Sequence, residues 1–219
     1  MSKRASELIA DRLRRMVITE ELTPGTIVSE AYLSEMLGCT RTPLRRALQQ
    51  LSHEYLVDTP PRRGILIPHL SVVDYQQLSQ AQLFVGVELV DLVAERIDDG
   101  QLEQLRWTIE RQEKCSRDGD FYELTTLDGR FHTLIVEATG NRYFSDFSRQ
   151  LHISLSRFLY RAYKATKGAG LSIEEHYEIV DALELRDPEL ARSRIKNHVT
   201  EAMKRVLRII ALGDHSQRA

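Results

Sequence analysis

No proline occurs between Pro68 and Pro188, and apolar residues recur through that stretch with the period of an α-helix. Because proline breaks helices, such a stretch favours an all-helical domain. The pattern is interrupted where glycine or an Asp-Pro pair punctuates it. We predict six helices there, over residues 74–97, 101–116, 119–139, 142–166, 172–185 and 188–212.

The first 70 residues have a different pattern, in which short amphipathic segments alternate with turns that contain proline or glycine. Helical periodicity covers Glu7–Ile18 and Glu30–Leu37, and Thr40 supplies an N-cap hydroxyl for a third helix. β-prone runs at 56–59 and 65–68 flank a basic turn and predict a hairpin. Three helices followed by a two-stranded wing are typical of a winged helix-turn-helix.

The predicted fold class is therefore mostly α, with two domains. An N-terminal winged helix-turn-helix covers residues 1–70, and a C-terminal all-α helical bundle covers residues 74–212. No apolar run approaches the ~18 residues of a transmembrane helix, and the N-terminus lacks a signal-peptide pattern. Cys39 and Cys115 are too few for a disulfide framework. We expect a cytoplasmic protein without a membrane partner.

Basic side chains cluster at the start of the third helix and in the wing, although the chain has a net charge of −2. In a helix-turn-helix, the N-terminal turn of the second helix enters the major groove of DNA. Arg41 and Arg45 lie on one side of that helix, and either can bind a guanine or a phosphate. A solvated helix start would explain any one of these residues, but not the whole set with its wing. The other predicted DNA contacts are Thr40, Thr42, Arg62, Arg63 and Gly64.

Four residues of the second domain have the spacing of a metal site. Asp128 and His132 are four apart on a predicted helix, so they project from one face. His176 and His198 lie at equal distances from the Asp187-Pro188 turn, so an antiparallel helical pair places them at one height, ~15 Å from it. Three imidazoles and a carboxylate suit zinc, nickel, iron or manganese. Spacing alone leaves a metal-free, hydrogen-bonded cluster as the alternative.

The N-terminal residues resemble those of the GntR family of bacterial transcription regulators. The similarity lies in Pro24-Gly25, in Leu33–Gly38, in the run from Arg41 to Leu48, and in Arg63-Gly64 of the wing. The family often has a basic, DNA-contacting residue in the second helix. The matching positions of this chain, residues 30–32, contain no basic side chain. The resemblance implies DNA binding without fixing the operator sequence.

The second domain is similar to the FCD effector-binding domain of the FadR-type GntR subfamily. The metal motif of that domain is matched by Asp128, His132, His176 and His198. The resemblance implies a bound divalent metal, with zinc as the first candidate, which takes part in binding a small carboxylate effector. The arginine that usually precedes Glu88 by one turn is absent from Leu83–Gly86, which implies a different anchor or a less charged effector.

Together, the residues and the resemblance predict a transcription regulator, a repressor rather than an enzyme. Its homodimer binds a palindromic operator in double-stranded DNA, and release or promotion of DNA binding by the effector is equally compatible with the residues. One alternative is a direct metal sensor. Another is a metal-dependent enzyme with a DNA-binding appendage, although no general base or oxyanion donor is apparent. Four matched ligands argue against a metal-free domain with an apolar effector, as in acyl-CoA-responsive relatives.

Overall fold

A computed structural model of the protein describes residues 2–61, 63–168 and 171–216. The chain divides into two compact units, which are joined between Leu70 and Ser71. The mostly α fold class is confirmed, because helices dominate both units and the sheet has two strands in the described residues. None of the described helices has the length and apolar composition needed to cross a membrane.

The first unit contains three helices and two short strands. The chain runs through α1 (Ser2–Ile18), β1 (Ile27–Val28), α2 (Glu30–Leu37), α3 (Arg41–His53) and β2 (Ile65–Leu66). The apolar stripe of α3, which includes Leu44 and Leu51, is buried in the same core as Leu13 and Val17 of α1. This packing fixes α3 by its apolar face and leaves its opposite face in solvent.

The wing differs from the predicted hairpin. β2 pairs antiparallel with β1, whereas the run at 56–59 contributes only an isolated bridge between Asp58 and Leu66. Two prolines, Pro60 and Pro61, follow that bridge, and proline has no N–H with which to continue a ladder. The main partner of β2 is therefore β1, the strand that follows the turn at Pro24-Gly25. The sequence pattern did not predict this strand.

The turn before β1 explains why that strand reaches β2. Gly25 has a φ of 82°, in the left-handed region that favours glycine. Its N–H donates to the carbonyl of Ile67 at 2.6 Å, and a Cβ at this position would meet the His69 ring at 2.2 Å. Glycine is thus required both by the backbone conformation and by the close packing of the segment after β2.

The second unit is a helical bundle. Its helices are α4 (Val72–Arg96), α5 (Asp99–Asp118), α6 (Phe121–Glu137), α7 (Arg142–Thr166), α8 (Leu171–Glu184) and α9 (Pro188–Ser216). Caps set several boundaries, since Asp98 forms a capping box with Gln101 and Gly119 ends α5 in the left-handed conformation. Phe131 of α6 is fully buried in the main core, between the helices that supply the polar cluster described below.

Candidate metal centre and nucleic-acid interface

The structure brings three of the four predicted metal ligands, the histidines, together inside the second unit, and it places Asp128 beside His176. Asp128 and His132 come from α6, His176 from α8 and His198 from α9. The ligand nitrogens of the three histidines all lie within 4.8 Å of one another. The Nε2 atoms of His132 and His198 are 3.1 Å apart, and Nε2 of His176 is 3.7 Å from Oδ1 of Asp128.

A neighbouring amide fixes the tautomer of His176. The side-chain nitrogen of Gln112 donates to the carbonyl of Leu127 at 3.2 Å, so the amide oxygen of Gln112 faces Nδ1 of His176 at 2.8 Å. Since that oxygen can only accept, Nδ1 of His176 must carry the proton. Nε2 of His176 is then left with a lone pair, and this atom is buried without a hydrogen-bond partner in the described part of the chain.

A carboxylate fixes the tautomer of His198 in the same way. Oε2 of Glu175 accepts from Nδ1 of His198 at 2.8 Å, and both terminal nitrogens of Arg205 donate to Glu175 at 2.8 Å. Nε2 of His198, on the other side of the ring from this hydrogen bond, faces Nε2 of His132. Two nitrogens bound to one metal at about 2.0–2.1 Å lie about 2.9–3.4 Å apart, which fits the 3.1 Å between these two atoms.

The electrostatics of the cluster favour a cation. Burial lowers the pKa of His132 and His176 well below the ordinary value, so both imidazoles are neutral at neutral pH, as metal ligands must be. Burial raises the pKa of Asp128, whose Oδ1 accepts a hydrogen bond from the Tyr163 hydroxyl at 2.8 Å. A buried carboxylate with one neutral donor is costly to ionise unless a positive charge lies beside it. The donor set therefore fits a divalent ion.

His152 lies beside this cluster, but outside the group of nitrogens that converge. Its ring stacks on that of His132, with centroids 4.8 Å apart and an interplanar angle of 1°. Burial lowers the pKa of His152 to about 3, and its Nδ1 has no hydrogen-bond partner in the described residues. His152 thus supports the position of the His132 ring without entering the candidate ligand set.

A cavity opens beside the candidate ligands. Asp128, His132 and His198 contribute to its wall, and Arg205 supplies a guanidinium beside them. Because Glu175 bonds both His198 and Arg205, the guanidinium lies close to the histidine cluster. The remaining lining is largely apolar or hydroxyl-bearing and comprises Tyr75, Gln82, Leu159, Ala162, Tyr163, Thr166, Ala202, Val206 and Ile209.

The predicted DNA-contacting residues of α3 form an exposed group at its N-terminus. Thr40 is the N-cap residue, as predicted, but its hydroxyl does not accept a capping hydrogen bond. The expectation that this hydroxyl caps the helix is therefore wrong, and the first-turn amides of α3 lack a side-chain cap. Arg41, Thr42 and Arg45 are all exposed, and Nε of Arg45 donates to the carboxylate of Glu30 at 2.9 Å.

The predicted wing contacts have different surroundings. Arg63 is exposed, whereas Arg62 lies outside the described residues. Gly64 has a φ of 86°, and a Cβ there would meet the backbone oxygen of Val28 at 2.9 Å. Glycine at this position is therefore required by the packing of the wing on β1, whatever its contact with DNA.

Comparison with known proteins identifies the family. The model of the FCD domain matches residues 77–201, and that of the gntR family of bacterial regulatory proteins matches residues 5–67. The chain belongs to the GntR family. Regulators of this family bind DNA operators, and the FCD domain binds effectors. The prediction of a transcription regulator rather than an enzyme is thus confirmed.

Relatives of this GntR regulator match it over most of their length. An uncharacterized HTH-type transcriptional regulator from an unstable DNA locus of Streptomyces ambofaciens is 31% identical, over 91% of this chain and 84% of its own. The HTH-type transcriptional repressor RspR of Escherichia coli is 25% identical, over 90% and 86%. Among solved structures, E. coli McbR/YncC has the same fold, with a TM-score of 0.79, 20% identity, and 92% of this chain and 96% of that chain covered.

Several polar residues around the candidate ligands in this GntR regulator were missed by the sequence analysis. Gln112 was detectable, because it continues the buried stripe of α5 through Leu105 and Ile109 at helical spacing, and a glutamine there needs a buried partner. Glu175 and Arg205 gave no comparable signal, since charged residues are frequent on both their helices. Their pairing depends on how α8 and α9 meet in space.

Proposed function

We propose that this regulator is a repressor whose affinity for its operator depends on a small carboxylate bound beside a divalent metal. The observation that carries the proposal is the unpartnered Nε2 of His176, which is fully buried and points toward His132 and His198. A buried nitrogen lone pair without a donor is costly. A cation held by Asp128 and the three histidines would satisfy it.

Zinc is the first candidate for the metal, with nickel, manganese and iron as alternatives, because all four accept nitrogen and oxygen ligands. When bound, the ion would supply a positive centre that neutralises Asp128 and attracts an anion. The protein supplies the orientation of the ligands: Gln112 holds His176, and Glu175 holds His198. Such outer partners set both the tautomer and the basicity of a histidine ligand.

The cavity beside the cluster supports a small carboxylate as the effector. Its wall combines the Arg205 guanidinium with apolar side chains such as Leu159 and Val206, which suit an acid with a short hydrocarbon part. Tyr75 and Gln82 of α4 also line it, and α4 begins at Val72, directly after the connection between the units. An occupant that prefers one position of α4 by ~1–3 kcal/mol would change operator affinity 5–150-fold.

We further propose a homodimer that binds a palindromic operator. Large aromatic side chains are exposed on two helices of the second unit that pack on each other: Phe84 of α4, and Tyr143 and Phe147 of α7. Contiguous exposed apolar patches mark interaction surfaces, and the proposed dimer would cover these side chains. A twofold dimer would place two recognition helices on half-sites about one DNA turn apart.

Elemental analysis tests the proposed metal. The full chain, purified without a metal-affinity tag and dialysed against metal-free buffer, is expected to retain about one equivalent of zinc, nickel, manganese or iron per chain. Retention of less than a tenth of an equivalent, also after incubation with each metal, would reduce the histidines to a hydrogen-bonded cluster. Operator affinity measured with metal alone and with metal plus small carboxylates then separates a direct metal sensor from a carboxylate-responsive regulator.

Alanine substitutions in α3 test the proposed DNA interface. Arg41→Ala and Arg45→Ala are each expected to lower affinity for the operator about 10–100-fold without changing helix content, since each removes a charged contact from an exposed face. The operator is obtained by selection from a random duplex library, and affinity is measured by fluorescence anisotropy. Unchanged affinity in both variants would contradict the assignment of α3 as the recognition helix.

A further inference from the structure

Two of the exposed arginines of α3, the proposed recognition helix, lie one turn apart on the same face and have different surroundings. Nε of Arg45 donates to both carboxylate oxygens of Glu30, at 3.1 and 2.9 Å. Arg41, one turn earlier on the same face, has no ion pair or side-chain hydrogen bond in the described part of the chain. The two arginines are therefore not equivalent as DNA contacts, although their spacing alone made them interchangeable.

Glu30 is held in place by the start of α2. It is the first residue of that helix and follows Ser29, whose side chain accepts from the amide of Tyr32 at 3.1 Å. The N-terminus of a helix favours a negative charge, so the backbone supports this carboxylate where it meets Arg45. An exposed ion pair contributes little to stability, which points to a role in positioning the guanidinium.

The geometry of the pair determines which edge of Arg45 remains available. With Nε bound to Glu30, the two terminal nitrogens form a fork that has no other partner in the described residues. A fork of this kind matches O6 and N7 of guanine in the major groove. The Glu30 carboxylate also repels phosphates, so Arg45 contributes less to nonspecific binding than an unpaired arginine would.

We propose that Glu30 is a specificity-determining residue, which orients Arg45 to read a guanine and discourages it from binding the phosphate backbone. Arg41, without such a partner, is left to contact phosphate. The inference rests on the proposed use of α3 as the recognition helix. Arg41 and Arg45, on one face of α3, thus have separate roles. Glu30 has a function that explains a carboxylate on a surface that would contact DNA.

The test compares Glu30→Gln with Glu35→Gln in the full-length protein. Glu35 is an exposed carboxylate on the same helix, so the control changes the charge equally without touching Arg45. A duplex selected by the wild type, the same duplex with each guanine replaced, and an unrelated duplex are titrated at several salt concentrations. Circular dichroism checks that both variants remain folded.

For Glu30→Gln we expect affinity for the unrelated duplex to rise roughly threefold to tenfold, and the slope of log K against log salt to steepen by about 0.9. Discrimination at one guanine, roughly 5- to 150-fold in the wild type, should fall, because a neutral amide oxygen holds Nε of Arg45 less strongly than the carboxylate does. Arg45→Lys should lose the same discrimination while keeping its nonspecific affinity, because lysine retains the charge without the fork. Glu35→Gln should preserve the guanine preference.

Two results would overturn the inference. If Glu30→Gln and Glu35→Gln change both affinities by the same factor, Glu30 acts only as a general negative charge. If guanine discrimination survives unchanged in Glu30→Gln, Arg45 does not depend on Glu30 for its orientation; if it survives in Arg45→Lys, another residue reads that base. A wild-type protein that selects no sequence at all would instead refute operator recognition by this chain, and this inference with it.

Discussion

His176→Ala is expected to lower affinity for a divalent metal by about 100-fold or more while leaving the helix content unchanged. The residue supplies a buried nitrogen whose lone pair has no other partner in the described residues, and Gln112 orients that nitrogen from behind. Its removal deletes one of four proposed ligands. Competition with a chromophoric chelator measures the affinity, and circular dichroism measures the helix content.

His152→Ala is the matched control for this experiment. The residue is also a buried histidine and touches the same cluster through its stack on His132, yet its nitrogens are outside the convergent set. We expect nearly unchanged metal affinity in this variant, although its truncation leaves a comparable cavity. If both variants retained metal equally well, or lost it equally, the proposed ligand set would be wrong.

Gln112→Leu extends the same argument to the outer partners. The leucine fills a similar volume but cannot accept from Nδ1 of His176, so the proton is free to move to Nε2 and block the ligand position. A decrease in metal affinity of about 10–100-fold is expected, smaller than for loss of the ligand itself. An affinity equal to that of the wild type would show that packing alone fixes the tautomer of His176.

Local periodicity made part of the candidate site predictable. Asp128 and His132 share a helix, and His176 and His198 are related by a tight turn, so their approach follows from helix geometry. Long-range pairs were not accessible in this way: Arg205 meets Glu175 across two helices, and Arg45 meets Glu30 across the helix-turn-helix. Charged side chains are abundant on the surface. Which of them form ion pairs depends on how the helices pack, and sequence spacing does not predict that packing.

The wing shows the same limit for the backbone. A β-prone run marked residues 65–68 as a strand, but several segments could have paired with it. The turn at Gly25 decided the outcome by bringing Ile27-Val28 alongside, and the prolines after Asp58 shortened the alternative. The partner of a strand depends on which backbone donors and acceptors are free at its edge. The pattern of apolar residues predicts this only weakly.

The metal-free protein is expected to lose stability steeply as the pH falls below about 6. Burial lowers the pKa of His132, His152 and His176 in the folded state, whereas the same residues titrate near 6.5 in an unfolded chain. At a pH between the folded and the unfolded pKa of a histidine, the unfolded state binds more protons than the folded state. A fall in pH through this range therefore favours unfolding. Each of the three takes up a proton on unfolding in this range, so their contributions to the pH dependence have the same sign and add.

Two carboxylates of the cluster modify this dependence in opposite directions. Glu175 has a folded pKa of about 2, because hydrogen bonds from Arg205 and His198 outweigh its burial, so its stabilisation is lost as the pH falls below about 4.5. The pKa of Asp128 is raised by burial, so protonation of Asp128 favours the folded state and offsets part of the histidine effect. The net loss should dominate, since three histidines act together in the range above pH 4.5.

Urea unfolding at a series of pH values measures this effect, with the fluorescence of Trp107 as the probe. Trp107 is the single tryptophan and lies on α5, so it reports on the second unit. His152→Leu should reduce the slope by about a third, because it removes one of the three histidines that take up a proton on unfolding. Stability that stays constant between pH 7 and 5 would mean that these imidazoles are hydrated or already charged in the folded protein. A saturating metal should raise stability at neutral pH, and that gain should vanish on acidification as protons compete for the same nitrogens.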